Sequence, residues 1–95
     1  MEIRQDIQEA KGAFTAFSDG IKAGEMTFSI AGQDKIIIDH TEVNDAFKGQ
    51  GVGKKLLLEG IVPYARTLHF KIIPLCPFAQ AMFKKMPDEL NDLLA

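Results

Sequence analysis

The sequence predicts a mixed α/β (α+β) fold in which an antiparallel meander leads into a strand-helix-strand crossover and closing C-terminal helices. Three observations carry that prediction. Glu25-Met26-Thr27-Phe28-Ser29-Ile30 alternates polar with apolar residues, the period-two pattern of a strand with one face buried. Lys54 to Arg66 instead places apolar residues at 57, 58, 61, 62 and 65, the spacing of a helix with one apolar stripe. Thr67 to Ile73 alternates again and then becomes apolar, so a further strand follows the helix.

Taken in order, Ile3 to Ile7 reads as a short edge strand with sparse apolar positions. Ala13 to Phe17, bracketed by Lys11-Gly12 and Asp19-Gly20, is rich in strand formers. Gly32-Gln33-Asp34 marks a turn before the strand Lys35 to Val43, whose three consecutive isoleucines imply that both of its faces are covered. In the helix, Pro63 has no N–H for the Glu59 carbonyl and its ring crowds that carbonyl, so a kink or an early end is expected there. Pro74 and Pro77 frame Leu75 and Cys76 as a rigid exit from the last strand. A helix from Phe78 to Lys85 carries Phe78, Met82 and Phe83 as its apolar stripe. Pro87 to Leu94 then starts with proline and two acids, favourable for helix initiation and for the helix dipole. Nothing between residues 1 and 35 reads as helix.

Ninety-five residues fit one domain spanning 1–95, and such a chain buries roughly 60 to 65% of its unfolded surface. With 46% hydrophobic and 25% charged residues the composition is that of an ordinary globular domain. A net charge of -2 with scattered Lys and Arg excludes a broad cationic track for nucleic acid. Cys76 is the single cysteine, so no internal disulfide forms, which fits a reducing compartment. No apolar stretch approaches the roughly 18 to 20 residues that span a membrane. The N-terminus MEIRQDIQEA lacks the cationic and then apolar pattern of a secretion signal, and a cytoplasmic protein is expected, as a monomer or weak homodimer.

The chemistry concentrates at Lys48-Gly49-Gln50-Gly51-Val52-Gly53, between a strand and a helix. Glycines let a phosphate approach the backbone, the first helical N–H groups lack intrahelical partners, and the helix dipole favours an anion at that end. Lys48 and Lys54 add charge at the rim. The alternative reading is a purely structural turn. Two common nucleotide loops do not fit: Lys55 stands where a Walker loop needs a hydroxyl, and a GxGxxG pattern would require glycine at Lys54 or Leu56.

The segment resembles the acetyl-CoA motif of the Gcn5-related N-acetyltransferase superfamily, Q/R-x-x-G-x-G/A, with Lys48 to Gly53 in the corresponding positions. The chain is more closely similar to very small single-domain members with an HTxV strand, a GQG(V/I)G-like loop and a PxCP(F/Y) segment. Here those are His40-Thr41-Glu42-Val43, Gly49 to Gly53, and Pro74-Leu75-Cys76-Pro77-Phe78, a likeness covering residues 36 to 85. The resemblance implies a GNAT-like fold, acetyl-CoA or CoA as cofactor, and direct transfer of an acetyl group to a primary amine of a small molecule or a protein. It also implies that amides from Gln50 to Lys54 hold the pyrophosphate and that backbone from Glu42 through Val43 to Asn44 meets the pantetheine arm. The thioester would then lie near Cys76, with Phe78 at its border. Lys48 stands where that pattern has Arg or Gln, keeping a cation but losing the planar fork. Met86 and Leu90 replace the histidine and tyrosine of an HPEY-like segment, so no chemistry is assigned there.

Three residues are catalytic candidates. A helix starting after Pro74 would set Cys76 near N–H groups that favour thiolate, giving it an acyl-accepting or proton-donating role, against the alternative of a small packed hydrophobe. His40 has the imidazole suited to taking a proton from an amine. On a regular strand Glu42 shares its face and could orient it, while Asp39 shares the other face with Thr41. His69 is a weaker candidate, Tyr64 reads as packing, and the His and Cys spacing matches no zinc site. A CoA-binding sensor with little turnover is the competing function, and a structural protein without cofactor a third.

Overall fold

In the computed structural model, which describes residues 1–95, five strands form one sheet in the order β1-β2-β3-β4-β5. Strands β1 (Glu2–Gln8), β2 (Lys11–Ser18), β3 (Ile21–Ala31) and β4 (Lys35–Val43) run antiparallel in sequence, and β5 (Lys71–Pro74) lies parallel to β4. The turn into β3 holds Asp19 and Gly20 at φ 50 and 81, the left-handed pair that a two-residue Asp-Gly turn requires. A parallel pair cannot close through a tight turn, so a crossover joins β4 to β5. It runs as α1 (Val52–Lys55), a π-helical stretch (Leu56–Ile61) and α2 (Val62–Leu68). Beyond β5 come α3 (Pro77–Lys85), α4 (Pro87–Leu90) and a 3-10 turn, Asn91–Leu93.

All the helices stack on one face of the sheet. Met26, Phe28, Ile36, Ile38 and Ile72 point to that face and are enclosed with Leu56, Leu57 and Ile61 of the crossover and Ala79 and Met82 of α3. Each fully enclosed isoleucine or phenylalanine contributes about 1.5–3 kcal/mol. Thr15, Glu25, Thr27, Ser29 and Ile37 occupy the opposite face, and none of them is buried. The isoleucine run is therefore covered on one side only, with Ile36 and Ile38 inside and Ile37 half exposed.

Two boundaries differ from the sequence reading. The helix does not end at Pro63 but continues to Leu68. Val62 donates its N–H to the Leu57 carbonyl, an i to i+5 bond. This widened turn directly before Pro63 relieves the crowding of its ring against the preceding turn. Thr67 and Leu68 also belong to the helix, His69 caps it in the left-handed conformation (φ 61, ψ 36), and β5 begins only at Lys71. Four alternating residues are too few to distinguish a strand from the last turn of a helix. No helix is long and apolar enough to cross a membrane.

Candidate functional site

The site begins where two strands part. β5 pairs with β4 only from Lys35 to Ile38. Leu75 and Cys76 both donate their N–H groups to the Ile38 carbonyl, at 3.2 and 3.1 Å, and from Asp39 to Val43 no strand pairs with β4 on that side. On its other side β4 carries a bulge: Ile38 opposes Phe28 and His40 opposes Thr27, leaving Asp39 as an extra residue. An inserted residue reverses the alternation beyond it. Thr41, opposite the enclosed Met26, thus faces the helices, while His40 and Glu42 lie exposed on the uncovered face. His40 and Glu42 share a face as expected. Asp39, which points outward and accepts a 2.6 Å hydrogen bond from Ser29 Oγ, does not share one with Thr41, because the bulge turns Thr41 to the helix side.

From Val43 the chain turns sharply. Asn44 donates its N–H to the Ala23 carbonyl and Nδ2 to the Lys22 carbonyl, and Oδ1 accepts from the Ala46 N–H at 3.0 Å. The polar groups of Asn44 thereby fix the turn that delivers the glycine segment. Gly49 (φ 80) and Gly51 (φ 72) then adopt the left-handed conformation that glycine reaches without strain. The first bond of the crossover helix runs from the Lys55 N–H to the Gly51 carbonyl at 3.0 Å, which leaves the N–H groups of Val52, Gly53 and Lys54 without intrahelical acceptors. A Cβ at Gly49 or Gly51 would meet nothing within 4 Å, so the surface of the turn is open.

Gly53 answers a different need. A Cβ there would stand 2.7 Å from Cζ of Phe78, so the missing side chain admits that ring against α1. Val52 is 2% exposed and offers only its backbone to the turn. Lys48 is exposed and pairs with Asp45 at 3.2 Å, whereas none of the ion pairs engages Lys54. Gln50, Gly51, Lys54, Lys55, Leu58 and Glu59 line a recess of about 280 Å³. A second recess of about 320 Å³ lies between Lys22, Gly24, Glu25, Glu42 and Asn44.

Cys76 is 5% exposed and is the N-cap of α3. Its Sγ accepts from the Ala79 N–H at 3.4 Å and lies 3.3 Å from Thr41 Oγ1. Pro77 at the start of α3 presets the helical φ. Cys76, Thr41 and Phe78 thus stand together with the glycine segment on the helix side of β4. His40 and Glu42 stand on the other side, with no hydrogen bond joining them. Thr41 is the residue that sequence reasoning passed over, since only the bulge gives it its direction. Tyr64 packs among Phe14, Phe28 and Phe70 at centroid distances of 5.8, 5.3 and 6.0 Å, and burial pushes its hydroxyl above the usual tyrosine range.

A five-stranded mixed sheet that splits after its parallel junction, with an anion-ready turn opening the crossover helix, is the architecture of an acetyltransferase fold. The family model described as GCN5-related N-acetyl-transferase matches residues 13–93, and the chain belongs to that family. The fold is similar to the NMR solution structure of a GCN5-like protein from Staphylococcus aureus assigned as an N-acetyltransferase. That pair is 37% identical, with TM-score 0.71, over 99% of this chain and 87% of the other. Aminoglycoside N-acetyltransferase AAC(6')-Iy in complex with CoA shares the fold at 16% identity and TM-score 0.63, over 90% of this chain and 89% of that one. So does ribosomal-protein-alanine N-acetyltransferase from Brucella melitensis, at 19% identity and TM-score 0.62, over 81% and 61% of the two chains. No curated protein matches the sequence.

Proposed function

We propose that this protein binds acetyl-CoA along the split between β4 and β5 and moves its acetyl group to a primary amine by direct attack on the thioester. The observation that carries this reading is the set of unpartnered N–H groups from Val52 to Lys54, opening a helix beside the β4 edge that is free beyond Ile38. Such amides suit a diphosphate, and the exposed Lys54 adds a cation. The free edge from Asp39 to Val43 offers peptide groups to the amide-bearing pantetheine arm. Acetyl-CoA supplies the activated acyl group. Cys76 and Thr41 build the helix-side wall of the split, and Phe78 fixes α1 against α3. His40, with Glu42 on the same open face, is placed to take a proton from an ammonium acceptor arriving there. With no helix before β4, that approach is unwalled, which suits a bulky or macromolecular amine.

Calorimetry with acetyl-CoA on wild type, Gly51→Ala and Gly32→Ala tests the location. Gly51 and Gly32 have φ 72 and 69, and a Cβ on either meets nothing within 4 Å, so both variants carry the same backbone strain. Loss of binding in Gly51→Ala alone is expected. No binding heat in wild type, or equal loss in both variants, would overturn the assignment. Labelled acetyl-CoA with a mixed pool of amines and peptides then tests transfer: binding without product would make the protein a CoA sensor.

A further inference from the structure

Strand β1 is an open edge of the sheet, paired with β2 alone. Such an edge presents a row of N–H and C=O groups to any strand that can align with it. Ile3, Gln5 and Ile7 oppose Ala16, Phe14 and Gly12, so they face the helix side, where Ile3 and Ile7 pack at the margin of the core. Glu2, Arg4, Asp6 and Gln8 face the other way. Beside the edge on the helix side runs a groove of about 540 Å³, lined among others by Ile3, Phe14, Pro63, Tyr64 and Leu68, and Leu68 is 48% exposed.

We propose that β1 pairs antiparallel with β1 of a second copy of this chain, about a two-fold axis through Gln5, so that the two sheets become one. An antiparallel edge pairing of identical strands requires an axis perpendicular to the sheet, which keeps the helices of both copies on one face. Residues of the same face must then oppose each other, and that leaves few registers. Centring on Arg4 sets Arg4 against Arg4 and Glu2 against Asp6. Centring on Asp6 sets Asp6 against Asp6. Centring on Gln5 sets Arg4 against Asp6 twice, Ile3 against Ile7 twice and Glu2 against Gln8 twice, using all seven residues of the strand. Opposite charges facing each other across an antiparallel pair stabilise it and like charges oppose it. Centring on Ile3 also sets Arg4 against Glu2, but it aligns only residues 1–5 and uses a Glu2 already engaged within its own chain. Charge and length together therefore select the Gln5 register.

The side chains are arranged for that register. Arg4 is held over the strand by Glu2, at 2.8 Å, and by the Phe17 ring, at 4.4 Å from its centroid. Asp6 enters none of the chain's ion pairs or side-chain hydrogen bonds, so its carboxylate is free for Arg4 of the partner subunit. On the helix side, Ile7 of the partner subunit lands opposite Ile3 and covers the groove that leaves Leu68 exposed.

Sedimentation equilibrium on the whole chain across a concentration series tests the pairing, with Asp6→Arg and Arg4→Asp as variants and thermal melts as the check that each folds. Wild type is expected to dimerise reversibly, and each variant to dissociate about tenfold more readily because like charges oppose twice. Mixing the two variants is expected to restore association, since every cross-strand pair is then opposite in sign. Asp6 is exposed and unpaired, so Asp6→Arg alone reads the interface without loss of an internal bond. A wild type that stays monomeric, a dimer indifferent to Asp6→Arg, or folded variants that fail to associate when mixed would each overturn the proposal.

Discussion

Thr41 Oγ1 lies 3.3 Å from Cys76 Sγ at the mouth of the β4–β5 split because Asp39 is bulged out of β4. The bulge decides which chemistry faces which way. Deleting Asp39 would close the bulge and leave His40 opposite Thr27 and Thr41 opposite Met26, so that each side chain keeps its face. The deletion removes only the hydrogen bond from Ser29 to Asp39 and is expected to lower stability by about 1 kcal/mol in urea unfolding. A loss of about 3 kcal/mol or more would show that the faces of His40 and Thr41 depend on the extra residue.

The Cys76 sulfur has two internal contacts and little exposure, which fits a capping role. Cys76→Ser keeps a side-chain acceptor for the Ala79 N–H, and Cys76→Ala removes it. The alanine variant is expected to be about 1 kcal/mol less stable than the serine variant. Single-turnover acetyl transfer by Cys76→Ser is expected at the wild-type rate. A loss of about tenfold or more with the fold intact would assign the sulfur a chemical step.

Gly53 and Phe78 form a coupled pair. Gly53→Ala forces its methyl group to within 2.7 Å of the ring, an overpacking expected to cost about 1–3 kcal/mol. Phe78→Leu in the same chain should recover part of that loss. A double-mutant cycle reads the coupling, and strictly additive losses would mean that the ring does not explain the glycine.

Tyr64 is the only tyrosine, so the absorbance change on phenolate formation reports it alone. Burial disfavours its charged form and raises its pKa in the folded state. The unfolded chain therefore releases this proton first as pH rises. Stability from this group is complete below about pH 10 and is lost as pH climbs through the higher folded value. Tyr64→Phe should flatten that alkaline decline, and a decline of equal slope would place its origin elsewhere.

Much of the sheet is legible because burial on one face imposes a period of two. Met26 and Phe28 alternate with Glu25, Thr27 and Ser29 in the sequence as they do in space. The bulge at Asp39 is not legible, because it arises from the register between two strands rather than from any residue's preference. The same limit applies at the site. Gly51 is readable as a turn glycine at a helix start, whereas the reason for Gly53 is a ring that arrives from a distant segment. Pro63 misleads because the rule it invokes assumes an α-helical turn before it, and the chain supplies a wider one.

The order of the strands also sets the order in which the molecule can close. The meander joins through turns of two or three residues, whereas β5 reaches β4 only after residues 44–70 have folded back. Contacts between distant segments carry the greater loop-closure entropy and form late, while β5 adds only four residues to the sheet. The split is thus the seam at which the molecule opens first, with the meander still intact. A ligand bridging the seam binds only the closed form, and its occupancy acts as a clasp on the final step of folding.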